Sequence, residues 1–189
     1  MTTALISGPP MEPVTLADVK AHLRIDTPDE DPLLQAAIVA ARAHIEARTR
    51  RVLINQLWRL YLDEWPDGRA VSIPLSPIIA VTAVTFYDIA GVARCWGPEN
   101  YRIDLSAQPA RLIAKLRPAA ALYDNGIEID VVAGYGVSSI DVPAPLRQVI
   151  LVLVAAWYER RGMIGHDAVG ALEPEGFSAL IAPYRVRRL

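Results

Sequence analysis

Histidine, cysteine and clustered carboxylates are the residues through which a chain of 189 residues could do chemistry, and in this one they are scattered. His22, His44 and His166 lie in separate stretches. No HExxH, CxxC or paired-histidine spacing brings nitrogen and sulfur ligands to one point, so neither a metal nor a cofactor is expected. Cys95 stands beside Trp96 in a strand-like stretch with no histidine close in sequence to take its proton, and reads as a small buried hydrophobe rather than a nucleophile. Asp63 with Glu64, and Glu128 with Asp130, become an acid/base pair only if the fold aims both into one cleft. As alternating strand residues they read as a solvated face. Gly134-Tyr135-Gly136 lacks the third glycine or the Lys-Ser/Thr of a phosphate loop and reads as a bend before a helix. Asp29-Glu30-Asp31 lacks the alternating oxygen ligands of a calcium loop. Nothing in this pattern indicates an enzyme.

The bulk numbers narrow the other classes. With 52% hydrophobic residues and a formal net charge of −2, the chain can bury a true core and is not disordered. Near-neutral charge argues against coating nucleic acid, which needs many cations to displace phosphate counterions. Only Lys20 and Lys115 among the 19 basic residues are lysine, a bias that favours forked ion pairs but also follows from GC-rich codons. A lone cysteine allows no internal disulfide and fits a reducing compartment. The opening MTTALISGPPMEP has no basic region ahead of an apolar run and does not read as a secretory signal. The longest apolar run, VILVLVAAWY at 149–158, falls far short of the roughly 20 residues that span a bilayer. A soluble, cytoplasmic product is expected.

Periodicity supplies the elements. Thr15 followed by Asp18 resembles a capping box, and Leu16, Val19 and Leu23 share one helical face, which predicts a helix to about residue 23. Asp31 as N-cap and Pro32 at the first helical position open a second helix, 32–51, striped by Leu34, Ile38, Ala41 and Ile45. Acids at its start and Arg48, Arg50 and Arg51 at its end suit the helix dipole. From Trp58 the period falls to two. Trp58, Leu60 and Leu62 alternate with polar residues, WPDGR at 65–69 has hairpin-turn chemistry, and Val71, Ile73 and Leu75 read as the returning strand. AVTAVTFYD, VARCWG, YRIDL, ARLIAKL and IEIDVVAGYG follow at short intervals as further strands. VPAPLRQVILVLVAAWYERRG at 142–162 returns to helix, with Leu146, Ile150, Leu153, Val154 and Trp157 as its inner stripe. The fold class is α+β: a helical bundle with an inserted antiparallel β-module, a small sandwich or barrel. Residues 1–56 supply the N-terminal helices, 57–141 the β-module, 142–162 the long helix that completes the bundle, and 163–189 a loop and a C-terminal docking arm.

Two segments carry more apolar surface than one face can hide. On helix 142–162, Val149, Leu151 and Val152 fall outside the inner stripe and are expected at a subunit interface. The segment LIAPYRVRRL at 180–189 carries the anchors Leu180, Ile181, Tyr184, Val186 and Leu189, a backbone stiffened by Pro183, and the forks of Arg185, Arg187 and Arg188, which suit carboxylates. A segment that stayed in water would be polar, so it reads as a docking arm, with packing on its own domain and contact with DNA as the other readings.

PVTLADVKAHLRID, the acidic turn before DPLLQAAIVAARAHIEARTRRVL, IPLSPIIAVTAVTFYD, VVAGYG, VPAPLRQVILVLVAAWYERRG and PYRVRRL, in this order, resemble the phage head–tail connector (adaptor) family of tailed phages, prophages and gene transfer agents. The resemblance covers nearly the whole chain, and its specificity lies in the number and order of the blocks. It implies a structural virion protein at the head–tail junction, made in the host cytoplasm. Members form a ring, usually of twelve copies, beneath the portal protein, extend the DNA channel and receive the tail or a stopper protein. Carried over, residues Leu180 to Leu189 would reach the portal, and DNA would pass without specific binding. Alone, the chain is expected to be a monomer or small oligomer. Simpler connectors are almost purely helical, so the large β-module is a departure. Two rivals stand beside this reading: a DNA-binding regulator that sets Arg42, Arg48, Arg50 and Arg51 of helix 32–51 on phosphates, and a hydrolase or sugar-binding β-module.

Overall fold

The computed structural model describes residues 1–68, 70–117, 124–160 and 173–186. These divide into two compact units, each drawn from separated parts of the chain: Met1–Pro9 with Asn55–Tyr135, and Pro10–Ile54 with Gly136–Leu189. The class is α+β, with the strands in the first unit and the helices in the second.

Among the described residues the β unit holds eight strands: β1 (Thr2–Ser7), β2 (Gln56–Leu62), β3 (Ala70–Ser72), β4 (Ile78–Tyr87), β5 (Ala93–Cys95), β6 (Tyr101–Asp104), β7 (Arg111–Ala114) and β8 (Ile127–Ala133). They form two antiparallel sheets, β1-β2-β8-β4-β5 and β3-β7-β6. Both orders are open, so neither sheet closes into a barrel. β8 is central because every second residue is apolar: Ile127, Ile129, Val131 and Ala133 are buried, while Glu128 and Asp130 occupy the other face. There Arg59 of β2 donates to Asp130 at 2.6 and 2.9 Å and pairs with Glu128 at 2.9 Å. These hydrogen bonds to Asp130 hold the guanidinium proton more tightly than usual. The carboxylates are thus a cross-strand ion network rather than an acid/base pair.

Three expectations fail here. WPDGR is not a hairpin turn, since β3 pairs with β7 and leaves β2 to pair with β1 and β8. Cys95 is exposed, because β5 is an edge strand whose three residues all face solvent. Its neighbour Trp96 is the buried one, packed 4.9 Å from Trp65 and 5.2 Å from Tyr101 between ring centroids. β1 lies within residues 1–56, expected to supply the helices, yet it belongs to the β unit.

The helical unit contains α1 (Leu16–Leu23), α2 (Asp31–Thr49), α3 (Ala144–Glu159) and the short α4 (Phe177–Ile181). Thr15 and Asp18 form the reciprocal capping box read from their spacing. Leu34, Ile38, Ala41, Ile45 and Thr49 make the buried stripe of α2. Leu146, Val149, Ile150, Leu153 and Val154 make that of α3. The stripes share the 3.6-residue period, so they pack along one seam. Two polar clasps tie the helices: Lys20 of α1 to Asp31 of α2 at 2.7 Å, and the Tyr158 hydroxyl of α3 to Glu30.

Candidate docking site

The site is built on the C-terminal end of α2. A helix leaves its last carbonyls without intrahelical donors, and this one stops where Arg50 turns left-handed at φ 57°. The carbonyl of Thr49 is then free to accept from the Val186 amide at 3.0 Å. Arg51 reaches back so that Nε donates to the Tyr184 carbonyl at 2.6 Å. Residues 184–186 are therefore held, through their backbone, against the end of α2.

Its root is apolar. Phe177 and Ile181 lie one helical turn apart on α4 and are 1% and 0% exposed. Phe177 meets the ring of His44 at 5.6 Å, and His44 in turn meets Trp157 edge-on at 6.0 Å. Glu173 lies at the near end of this segment, with Oε1 2.9 Å from His44 Nε2 and 2.8 Å from Arg48 Nε. Leu180, Pro183 and Arg185 project from the opposite side and are exposed, while Tyr184 and Val186 are half-buried. Arg185 makes a long hydrogen bond of 3.4 Å to the Ser178 hydroxyl.

This geometry sorts the residues expected to dock a partner. Leu180, Pro183 and Arg185 present their side chains outward. Ile181 does not, because its side chain is spent in the core of its own chain. Arg187, Arg188 and Leu189 lie outside the described residues. On α3, Val149 is likewise consumed by the core at 1% exposure, leaving Leu151 and Val152 half-buried on the flank. The Phe177/Ile181 pairing at a spacing of four was the signal that would have separated rooted from free residues in the terminal segment.

The basic end of α2 does not form a phosphate-binding cluster. Arg42 is clasped between Glu12 at 2.7 Å and Glu46 at 2.8 Å. Burial alone would loosen its proton, but those two carboxylates outweigh it and raise the pKa. Arg48 serves Glu173 and Arg51 serves Tyr184. Among the described residues, Arg50 is the one of the four with no such clasp. His22 and His44 sit on different helices, His166 lies outside the described residues, and among the described residues no three His, Cys, Asp or Glu gather to hold a metal ion. Among the same residues no helix is long and apolar enough to cross a membrane.

In the helical unit Arg42 and Arg48 are held by carboxylates and Arg51 by a backbone carbonyl, while Leu180, Pro183 and Arg185 face outward from a fixed base. The profile of the family described as "Phage gp6-like head-tail connector protein" matches residues 13–91 and 99–185. The chain belongs to that family, and its place is the head–tail junction of a phage-like particle. Among solved structures it is similar to a chain in the neck of an empty GTA (gene transfer agent) particle computed with C6 symmetry and to one in the virion of a native GTA particle. Each has a TM-score of 0.83 at 31% identity, with 100% of this chain and 97% of that chain covered. A chain in the neck of a native GTA particle computed with C12 symmetry gives a TM-score of 0.77 at 31% identity, with the same coverage. No curated protein matches the chain.

Proposed function

We propose that this connector works as a closed ring of twelve copies under the portal protein, extending the DNA channel and receiving the tail or a stopper protein on its far side. The observation that carries the proposal is the end-to-end likeness, at 31% identity, to neck chains from particles computed with C6 and C12 symmetry. A cyclic arrangement needs a head-to-tail contact between copies, and such contacts stabilise one another once the ring closes. In this reading Leu180, Pro183, Tyr184, Arg185 and Val186 meet the portal together with Arg187, Arg188 and Leu189. Leu151 and Val152 face a neighbouring copy. The two sheets act as one sandwich-like β-module. DNA passes without specific binding, in keeping with a net charge of −2 and with the engagement of three of the four α2 arginines.

Weak contacts between free subunits keep the ring from closing away from the capsid. The purified chain therefore sediments as a monomer or small oligomer, and as a ring once portal is added. A stable dodecamer without portal refutes the portal-driven step. Particles assembled without the chain should yield DNA-filled heads that lack tails, and normal tailed particles would refute the connector role in this assembly.

A further inference from the structure

The terminal segment is gripped on both sides of one exposed cation. Arg51 Nε donates to the Tyr184 carbonyl at 2.6 Å, and the Val186 amide donates to the Thr49 carbonyl at 3.0 Å. These two bonds bracket Arg185, whose backbone is extended at φ −67° and ψ 126° and whose side chain is exposed. On the segment both bonds are made by backbone atoms, so they fix the course of the chain and leave the Arg185 fork for a partner. The side-chain contact that Arg185 makes to the Ser178 hydroxyl is long, at 3.4 Å. A carboxylate replaces such a contact with a shorter, charge-assisted bond.

The receiving end is itself stiff. Thr49 is fully buried, its hydroxyl donating to the Ile45 carbonyl at 2.7 Å and accepting from the Arg51 amide at 3.2 Å. The Arg50 amide donates to the Glu46 carbonyl at 2.8 Å and the Leu53 amide to Glu46 Oε1 at 2.9 Å. Val52 and Leu53, both buried, fix the chain just beyond. Arg51 therefore rises from a backbone pinned on either side, and its half-buried side chain is committed to a carbonyl of its own chain. Phe177 and Ile181 already root the segment in the core. What the grip by Arg51 and Thr49 adds is the direction in which Arg185 leaves the surface.

We infer that Arg51 is a positioning residue for docking: with the Thr49 carbonyl it holds the backbone on either side of Arg185, so that the Arg185 fork meets a carboxylate of the portal already aimed. The inference rests on the portal reading above and assigns both the cation that reads the partner and the one that aims it. A segment held in its bound course before contact avoids the ordering cost that a loose one pays on binding. The apparent affinity then scales with the fraction of chains in which the grip is closed.

The test measures hydrogen exchange at the Val186 amide and the Kd of the chain for the portal protein. Arg51→Gln removes a charge-assisted bond, and should speed that exchange about tenfold and raise Kd about three- to tenfold. Arg51→Lys keeps the charge and a donor and should fall between wild type and Arg51→Gln; it gives the same comparison if Arg51→Gln does not fold. Arg185→Gln should also raise Kd. Combined with Arg51→Gln, it should raise Kd by clearly less than the product of the two separate factors, because one change removes what the other aims. A general loss of stability would leave the factors multiplying, and that result would overturn the inference. Unchanged exchange in Arg51→Gln, or faster exchange with an unchanged Kd, would overturn it as well. A tighter Kd would overturn it by making the grip a latch that the portal must open. Removal of residues 184–189 separates the two readings. A Kd unaffected by that truncation would refute portal docking itself, whereas binding lost there but untouched by Arg51→Gln would refute the positioning role alone.

Discussion

Truncating the terminal segment and emptying its buried root should give two very different proteins. Removing residues 184–189 deletes two described backbone links, Arg51 Nε to the Tyr184 carbonyl and the Val186 amide to the Thr49 carbonyl. Each such bond contributes about 0.5–1.5 kcal/mol net, so the loss is about 1–3 kcal/mol. Phe177→Ala instead empties a site that is 1% exposed, in contact with His44, where large-to-small changes of an aromatic cost about 3–5 kcal/mol. For a unit of roughly 100 residues, 1 kcal/mol moves the midpoint by about 4–8 °C. The helical signal at 222 nm should therefore melt about twice as far below wild type in Phe177→Ala as in the truncated chain. Attachment of tails to filled heads should show the reverse order at permissive temperature, with the truncated chain failing and Phe177→Ala retaining it. Equal destabilisation by both changes would refute the division of this segment into a buried root and an outward docking face.

Thr15→Ala should cost about 0.5–2 kcal/mol through loss of the α1 cap, measured by chemical denaturation. The backbone and side-chain hydrogen bonds from Thr15 hold the Asp18 carboxyl below its ordinary value, so its contribution is complete above about pH 4 and fades as pH falls through the folded pKa. Thr15→Ala should reduce that acid dependence without abolishing it, because the backbone amide of residue 15 still donates to Asp18, and an unchanged acid limb would contradict the side-chain share. Arg42→Met leaves Glu12 and Glu46 without their shared cation and should destabilise the helical unit by about 3–5 kcal/mol, as loss of one partner of a largely buried pair does; a change below 1 kcal/mol counts against the clasp. Gly136→Ala should lower stability because the new methyl group collides with the Asp141 side chain, and a wild-type melting curve would contradict that close approach. The double change Arg187→Ala, Arg188→Ala should weaken portal binding more at low than at high salt, and a salt-independent loss would argue against charge pairing there.

What was legible in the sequence was local. The capping box at Thr15, the Asp31-Pro32 start of α2 and the stripes of α2 and α3 follow from spacings of three and four, and β8 from strict alternation. The elements that were missed depend on partners far along the chain. TTALIS in β1 shows no alternation, having Leu5 and Ile6 side by side, and becomes a strand because β2, some fifty residues later, offers an edge with Leu60 opposite Thr3. WPDGR carries turn residues, yet β3 leaves for the second sheet because β7 supplies its pairing. Val149 was placed on the outside by a stripe drawn too narrow; an i, i+3, i+4 face from Leu146 includes it. Ile181 was grouped with its neighbours as an anchor because a five-residue helix is too short to announce its buried face before the end of α2 is seen to receive it.

Direct imaging of the neck of particles that contain this chain tests the central claim. The account predicts a continuous symmetric ring of density at the head–tail junction into which the helical and β units fit, with residues 180–186 running toward the portal. Density for the chain elsewhere in the particle, or none in the particle, would contradict it.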